Sequence, residues 1–194
     1  KPSPRIYPLW ETEPDRHYAL VITTNSGLWR YNTGDTVKVT SINPLKIIIA
    51  GRTKFFINAF GEELMVDNAE KGIARASAET GATVINYTAA PIYMSGKTKG
   101  RHQWLIEFEK MPKSLDSFAE SLDRNLQMLN SDYEAKRYKD IALSRLEVIP
   151  ARKDIFNEWL RERGKLGGQH KIPRLNNNRN FIEEMLSLNQ NKIR

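Results

Sequence analysis

The chain has 194 residues, which is enough for one ordinary domain or for one domain and part of another. Its 40% hydrophobic and 27% charged residues are typical of a soluble globular protein, and apolar runs such as Ile47–Ala50 are far too short to cross a bilayer. Because it contains no cysteine, disulfides, thiolate catalysis and cysteine metal sites are excluded, and its three histidines are too scattered for a ligand cluster. We therefore expect a cytoplasmic protein.

Positive charge is concentrated near the C-terminal end of the chain. The formal net charge is +7, and residues 161–194 contain eight Lys or Arg side chains against three Glu. A solvated basic surface and a nucleic-acid-binding surface both account for such an excess, and the first is the commoner explanation. A basic nucleic-acid-binding module therefore stays open as an alternative function.

The first fifty residues predict an all-β segment. Their composition and period indicate four strands, which are His17–Thr24, Leu28–Tyr31, Thr36–Ile42 and Lys46–Ala50. The first two form a predicted hairpin with a turn at Asn25–Gly27, and Asn32–Asp35 closes the second strand. A segment of this size does not bury a core alone, and the chain starts at Lys1 with neither a Met nor a signal peptide. We expect residues 1–50 to be the β-rich C-terminal end of a larger N-terminal domain, in a fragment of a longer protein.

The stretch from Gly51 to Glu70 separates two parts of different character. Residues 51–54 are a short polar link between strand patterns, and we interpret them as a hinge. Phe55–Phe60 alternates as a strand does, and Asp67 with Glu70 three residues later has the pattern of a capping box that opens a helix.

After the hinge, helix and strand patterns alternate over residues 55–194. The predicted order is a helix, two strands, a helix capped by Ser114, a strand and two helices, namely Asn68–Glu79, Val84–Met94, Gln103–Phe108, Leu115–Leu129, Leu146–Ile149, Ile155–Leu160 and Phe181–Leu188. Pro91 indicates that its strand lies at an edge or bends. The fold class is therefore α+β. The β-rich end of a larger N-terminal domain is followed by a smaller C-terminal domain, which has a mixed sheet and flanking helices.

Several residues have the character of a binding site, each with a structural alternative. Asp35 follows a glycine at a predicted strand end, where a carboxylate can accept hydrogen bonds from a ribose diol, although spacing alone favours a turn-former. Thr23–Gly27 and Ser95–Lys97 resemble phosphate loops but lack the full pattern, so we interpret them as a turn and a hairpin loop. Tyr133 and Tyr138, among Lys and Arg, suit either base stacking or helix packing.

A glycine-rich segment, residues 164–174, presents Lys171 in the most basic part of the chain. A flexible backbone of this kind can deliver a point charge into a cleft and withdraw it. A solvated loop lysine has the same sequence pattern and is more common.

Three of these motifs together resemble a known enzyme superfamily. The order of Tyr31–Asp35, then Gly51–Lys54, then a lysine in a glycine-rich C-terminal loop is similar to the closing third of the adenylate-forming enzymes, which include acyl-CoA synthetases and luciferases. More narrowly, Gly51–Glu70 and Gly167–Arg174 resemble the auxin-responsive family of acyl-acid amido synthetases, in its bacterial branch. This similarity extends over essentially the whole chain.

The resemblance implies a ligase that activates a carboxylic acid with ATP as an acyl adenylate and passes the acyl group to an amine, commonly of an amino acid. It implies that Asp35 holds the ribose hydroxyls, that Arg52 and Tyr31 contact the nucleotide, and that Lys171 is the catalytic lysine. Lys54 falls at the pivot about which the C-terminal domain turns between half-reactions. Mg²⁺ is expected with the ATP phosphates, although no metal ligands are evident in the sequence.

The resemblance also implies that part of the active site lies outside this chain. In this superfamily the phosphate loop and the acid pocket belong to an N-terminal domain upstream of the matched region, so this fragment alone is expected to be inactive. A thioester-forming synthetase that transfers the acyl group to coenzyme A would share the hinge and the lysine, and it stays open as a second alternative.

Overall fold

The computed structural model describes residues 4–52, 55–96, 99–140, 142–164 and 171–190. The chain divides into two compact units, Lys1–Lys54 and Phe55–Arg194. The first contains strands with one short 3₁₀ turn and the second mixes helices with strands, so the predicted α+β class is confirmed.

The first unit is an antiparallel sheet of three strands, β1 (His17–Ile22), β2 (Tyr31–Ile42) and β3 (Leu45–Arg52), with β2 in the middle. Among the described residues, its buried hydrophobic side chains are Val37, Val39 and Ala50. A sheet of this size therefore buries little apolar surface by itself, as its length predicts.

The first hairpin differs from its prediction. No strand covers residues 28–30, and the polar run Asn32–Asp35 is not a closing turn but part of β2, which continues to Ile42. Gly34 makes this possible because it adopts φ 77°, a conformation that costs a glycine little. Polar composition indicated a turn, whereas the chain forms a bulge inside one long strand.

The second unit opens with a small hairpin, β4 (Phe56–Ile57) and β5 (Leu64–Met65). Its turn is held by the buried carboxylate of Glu62, which accepts hydrogen bonds from the backbone N–H of Phe60 at 2.7 Å and of Ala59 at 3.3 Å. The Nε2 atom of His102, also buried, lies 2.8 Å from the same carboxylate. Burial raises the pKa of Glu62, but the hydrogen bond and charge of His102 and the Phe60 N–H outweigh it and hold that pKa below 4.5.

Helix α1 (Val66–Thr80) begins two residues earlier than a cap at Asp67 requires, so the predicted capping box is wrong. Asn68 caps the helix instead, since its Oδ1 accepts from the Met65 N–H at 3.0 Å. Asp67 forms an ion pair with Lys71 one turn later, and Glu70 faces Tyr87. An amide at the third helical position therefore replaces the Asp–Glu pair.

A mixed three-stranded sheet forms the centre of the second unit. Its strands are β6 (Thr83–Ile92), β7 (Arg101–Lys110) and β8 (Glu147–Ala151), in that order across the sheet. The β6–β7 pair is antiparallel, whereas β8 runs parallel to β7 after a helical crossover. Pro91 therefore lies on an edge strand, as predicted.

Helices cover both faces of this sheet. One face packs against α1, α2 (Leu115–Leu129) and α3 (Ser131–Arg137), and the other packs against α4 (Ile155–Glu162) and α5 (Asn180–Gln190). The alternation along β7 explains this division, because Trp104 and Ile106 enter the first core while Leu105 enters the second.

The structure shows the environment of Ser114 and of the two tyrosines, Tyr133 and Tyr138. Ser114 caps α2 by accepting from the Ser117 N–H at 3.2 Å, as predicted. Tyr133 is buried and donates to Asp123 at 2.7 Å, whereas Tyr138 is exposed. No helix among the described residues is long and apolar enough to cross a membrane.

Candidate active site

Residues 33–35 form a bulge in β2. The register with β1 pairs Val21 with Asn32 and Ala19 with Thr36, so Thr33–Asp35 are accommodated opposite Leu20 alone. The motif's own side chains hold this shape. The Thr33 hydroxyl donates to the Leu20 carbonyl at 3.2 Å and accepts from the Asp35 N–H at 3.1 Å. Bulges of this kind re-aim side chains and are frequent beside active sites.

Asp35 and Arg52, two of the predicted nucleotide residues, are brought together by the sheet. Asp35 on β2 lies opposite Arg52 on β3, and the next pair is Thr36 with Gly51. Asp35 is half-buried, while Tyr31 at the start of the same strand is exposed. Lys54, the predicted pivot, lies outside the described residues.

Lys171 is the first described residue after residue 164, and its side chain is exposed. The residues that follow it are buried: Ile172 and Leu175 belong to the two cores of the second unit. Within the described part of the chain, Lys171 makes no ion pair, in contrast with the neighbouring arginines. The Lys171 ammonium group is therefore exposed to solvent, while the backbone that follows it is packed into the second unit.

The backbone that follows Lys171 lies along the outer edge of β6, the edge that does not pair with β7. The Ala89 N–H donates to the Arg174 carbonyl at 2.8 Å, and the Asn176 N–H donates to the Ala89 carbonyl at 3.1 Å. These bonds form a short parallel bridge between Ala89 and Leu175. One residue earlier on β6, the buried Thr88 hydroxyl donates to the Pro173 carbonyl at 2.6 Å.

Arg174 is held by side chains on three sides. Its guanidinium lies 4.5 Å from the centre of the Tyr87 ring, donates to Asn86 Oδ1 at 2.7 Å and lies 3.6 Å from Glu70. The Tyr87 hydroxyl donates to the same Glu70 carboxylate at 3.0 Å. Burial and the charge of Glu70 raise the pKa of Tyr87 well above its ordinary value, so this hydroxyl stays protonated and remains a donor.

The described arginines of the basic C-terminal segment form ion pairs within the chain. Each of the four in its described part lies against a carboxylate, in the pairs Arg161–Asp154, Arg163–Glu184, Arg174–Glu70 and Arg179–Glu183. Their charge is thus satisfied locally, which favours the solvated basic surface over a nucleic-acid interface.

Two further segments, residues 23–27 and 95–97, resemble phosphate loops in sequence. Residues 23–27 form a turn, with the Thr24 N–H donating to the Leu28 carbonyl at 2.9 Å, so the turn interpretation is confirmed. Lys97 of the other phosphate-loop candidate lies outside the described residues. Among the described residues, no cluster of three or more His, Cys, Asp or Glu side chains is arranged to hold a metal ion.

The sequence analysis missed Thr88, Asn86 and Glu70, which fix the segment after Lys171. These residues belong to β6 and α1, far from Lys171 in the chain. Thr88 and Asn86 stand in no recognisable motif, and Glu70 was interpreted only as part of a capping box. The one available signal was Pro91, which indicated that β6 has an open edge on which another segment can lie.

Comparison with known proteins identifies the family. Residues 67–180 match the GH3 family C-terminal domain, and residues 1–52 match the GH3 family central domain. The chain belongs to the GH3 family. The resemblance of Gly51–Glu70 and Gly167–Arg174 to acyl-acid amido synthetases is thereby confirmed at the family level.

Individual members of the GH3 family agree with this assignment. The chain is 29% identical over 180 residues to the indole-3-acetic acid-amido synthetase GH3.4 of Arabidopsis thaliana, a match that covers 86% of this chain and 30% of the relative. It is 26% identical over 188 residues to the indole-3-acetic acid-amido synthetase GH3.8 of Oryza sativa subsp. indica, covering 88% of this chain and 30% of the relative.

The fold is also that of a solved GH3 structure. The GH3.15 acyl acid amido synthetase matches with a TM-score of 0.71 at 21% identity, covering 95% of this chain and 36% of that protein. This chain thus spans about one third of the length of the GH3 proteins that it matches.

Proposed function

We propose that this chain is the C-terminal part of an ATP-dependent acyl-acid amido synthetase. The proposal rests on the match of both compact units to GH3 family domains. The GH3 proteins to which this chain is similar are named as acid-amido synthetases. The pairing of Asp35 with Arg52 and the exposed position of Lys171 support it, since these residues are the ones that the chemistry needs.

The first step forms the acyl adenylate. A carboxylate oxygen of the acid attacks the α-phosphorus of ATP, the new oxygen–phosphorus bond forms, and the bond to the β-phosphate oxygen breaks to release pyrophosphate. Two anions meet and negative charge increases on the equatorial oxygens, so the step is accelerated by a cation placed at the transition state. Lys171 supplies this cation in our proposal, and Asp35 orients the nucleotide through its ribose hydroxyls.

The second step forms the amide. The amine nitrogen of the acceptor attacks the acyl carbon, the carbon–oxygen bond to the phosphate breaks, and AMP leaves while the nitrogen loses a proton. The acceptor is an amino acid in our proposal, by analogy with the amido synthetases that the chain resembles. The upstream domain of the intact protein would supply the acid pocket and the phosphate loop.

Mg²⁺ is proposed only as the ion that accompanies the ATP phosphates. Because the described residues offer no cluster of ligands for it, no step of the reaction is assigned to the metal.

Acid-dependent exchange of labelled pyrophosphate into ATP by the intact protein tests the first step. The acids are a panel of aromatic and straight-chain carboxylates that starts with indole-3-acetate. Exchange with at least one acid, followed by AMP release and amide formation on addition of an amino-acid mixture, is the expected result. Product formation with coenzyme A in place of amino acids would establish the thioester alternative, and no exchange with any acid would contradict adenylation.

A fragment control belongs with this assay. Residues 1–194 alone are expected to give exchange no higher than a blank without protein, because the proposed phosphate loop lies upstream. Exchange by the fragment would show that the nucleotide site is complete within it.

A further inference from the structure

The backbone just after Lys171 is attached to β6 by one buried side chain. We infer that Thr88 is a positioning residue for Lys171, which it places for adenylation by holding the Pro173 carbonyl. This inference rests on the proposed function, in which the Lys171 ammonium stabilises the adenylation transition state.

The contact is short, buried and close to Lys171 in the chain. The Thr88 hydroxyl donates to the Pro173 carbonyl at 2.6 Å, and Thr88 is 1% exposed. Pro173 itself is buried and, as a proline, has no N–H with which to make its own link to the sheet. The hydroxyl of Thr88 is thus the side-chain attachment nearest to Lys171 among the described hydrogen bonds.

The two residues between Lys171 and this bond have restricted backbones. Proline fixes its own φ near −65°, and it confines the residue before it, Ile172, to extended conformations. Ile172 is also buried against the core that α4 and α5 form with the sheet. A shift at Pro173 is therefore passed along a stiff arm to the base of the Lys171 side chain.

The bonds further along the segment are a separate attachment. The Ala89–Leu175 bridge and the contacts of Arg174 keep residues 174–176 on β6 without the Thr88 hydroxyl. Removing this hydroxyl alone should therefore loosen the arm that carries Lys171 while the segment remains docked.

A hydroxyl at this position has no other evident use. Valine has nearly the same shape and is also favoured in strands, and burying a hydroxyl costs free energy unless it is hydrogen-bonded. Its described acceptor is the Pro173 carbonyl, so the bond to the lysine-bearing segment accounts for threonine at residue 88.

The test measures single-turnover adenylation in the intact protein, with the panel acid that gives the fastest exchange. Thr88→Val should slow adenylation by about 10-fold to 100-fold, the usual cost of a small misplacement, with the KM for ATP nearly unchanged. Thr88→Ser, which restores the hydroxyl, should recover most of the rate. Tyr133→Phe is the matched control, because it removes a buried hydrogen bond of 2.7 Å to Asp123 in the same unit, and it should adenylate normally.

The double variant separates positioning from general destabilisation. If Thr88 acts through Lys171, then Thr88→Val should add less than about 2-fold to the loss already caused by Lys171→Ala, because residues that act as a unit are not additive. A purely structural role would instead lower the rate further in the double variant. If Thr88→Val does not fold, Thr88→Ala carries the same expectations.

Two negative outcomes are distinguishable. Normal adenylation by Thr88→Val beside a slow Lys171→Ala would overturn the positioning role and leave the proposed function intact. Normal adenylation by Lys171→Ala would remove the catalytic role of Lys171, and the role of Thr88 would fall with it.

Discussion

Asp35 and Arg52 lie opposite each other on the neighbouring antiparallel strands β2 and β3. The pairing joins two motifs that are well separated in the chain and places both beside the bulge at Thr33–Asp35. Because the bulge is held by the hydrogen bonds of Thr33, the backbone at Asp35 is fixed independently of any ligand. A preformed backbone of this kind suits a residue that has to orient a nucleotide.

Asp35→Asn in the intact protein should raise the KM for ATP by about 10-fold to 100-fold, since hydrogen bonds to a charged group contribute about 1.5–3 kcal/mol. Pyrophosphate exchange measured against ATP concentration checks this expectation. Asp15→Asn is the control, because Asp15 is an exposed carboxylate of the same unit that pairs with Lys38 at 2.9 Å. An unchanged KM in Asp35→Asn would return Asp35 to a purely structural role in the bulge.

Lys171→Ala should slow adenylation by about 10²- to 10³-fold, which is the usual loss for one preorganised donor. Amide formation from a supplied acyl adenylate should change far less, since the cation acts on the phosphate. Lys171→Arg should rescue poorly, because a planar guanidinium does not replace a compact ammonium.

The control for Lys171 is Lys113→Ala, which removes another exposed lysine of the same unit. Neither substitution should lower the melting temperature noticeably, because exposed side chains contribute only a few tenths of a kcal/mol. A Lys171→Ala protein that adenylates at the wild-type rate would identify this residue as an ordinary solvated lysine.

Glu62→Gln should destabilise the protein by about 1–3 kcal/mol near neutral pH, because it disturbs a buried acceptor of two backbone N–H groups and His102. The folded-state pKa of Glu62 lies below its ordinary value of 4.5, so the unfolded state binds its proton more readily. The ionised carboxylate therefore adds stability above about pH 4.5, and this contribution disappears as the pH falls through the folded-state pKa.

Melting temperatures at about pH 6 and about pH 3.5 test this pH dependence. The difference between the wild type and Glu62→Gln should be larger at the higher pH than at the lower one. Glu63→Gln, an exposed neighbour, should show little difference at either. A gap that widens on acidification would mean that Glu62 is not stabilised as the anion.

Gly100→Ala should destabilise the protein by about 1–3 kcal/mol, because a Cβ at Gly100 would overlap the ring of Phe60. The Phe60 ring belongs to the β4–β5 turn that the Glu62 carboxylate holds, so the clash would disturb this turn. Thermal unfolding measures the loss. The double variant Phe60→Ala with Gly100→Ala should be less destabilised than the sum of the single variants, and strict additivity would show that the loss in Gly100→Ala does not come from the ring.

Patterns within one element predicted that element well. Helix α2 with its Ser114 cap, the edge position of Pro91 and the α+β class all follow from local periodicity and backbone chemistry. Bounds were less certain where polar side chains bond locally: Asn32–Asp35 have turn composition, yet β1 and β3 on either side draw them into a strand.

The candidate site was predicted only in part for a related reason. The motif around Asp35 and the motif around Lys171 each consist of consecutive residues, so each can be recognised in the sequence. The residues that hold them in place, such as Thr88 and Glu70, meet the motif through tertiary contacts between distant elements, and no spacing records such a contact.

The bridge between Ala89 and Leu175 also covers a β-sheet edge that could otherwise pair with a second copy of the chain. A β-sheet edge with free N–H and C=O groups is a template for pairing with another chain, and β6 would be such an edge if residues 174–176 were removed. A protein shortened to end at Gly164 would expose this edge and, because it also loses α5, part of the second core, so we expect it to self-associate. We therefore expect the segment that carries Lys171 also to limit pairing of this edge with other chains.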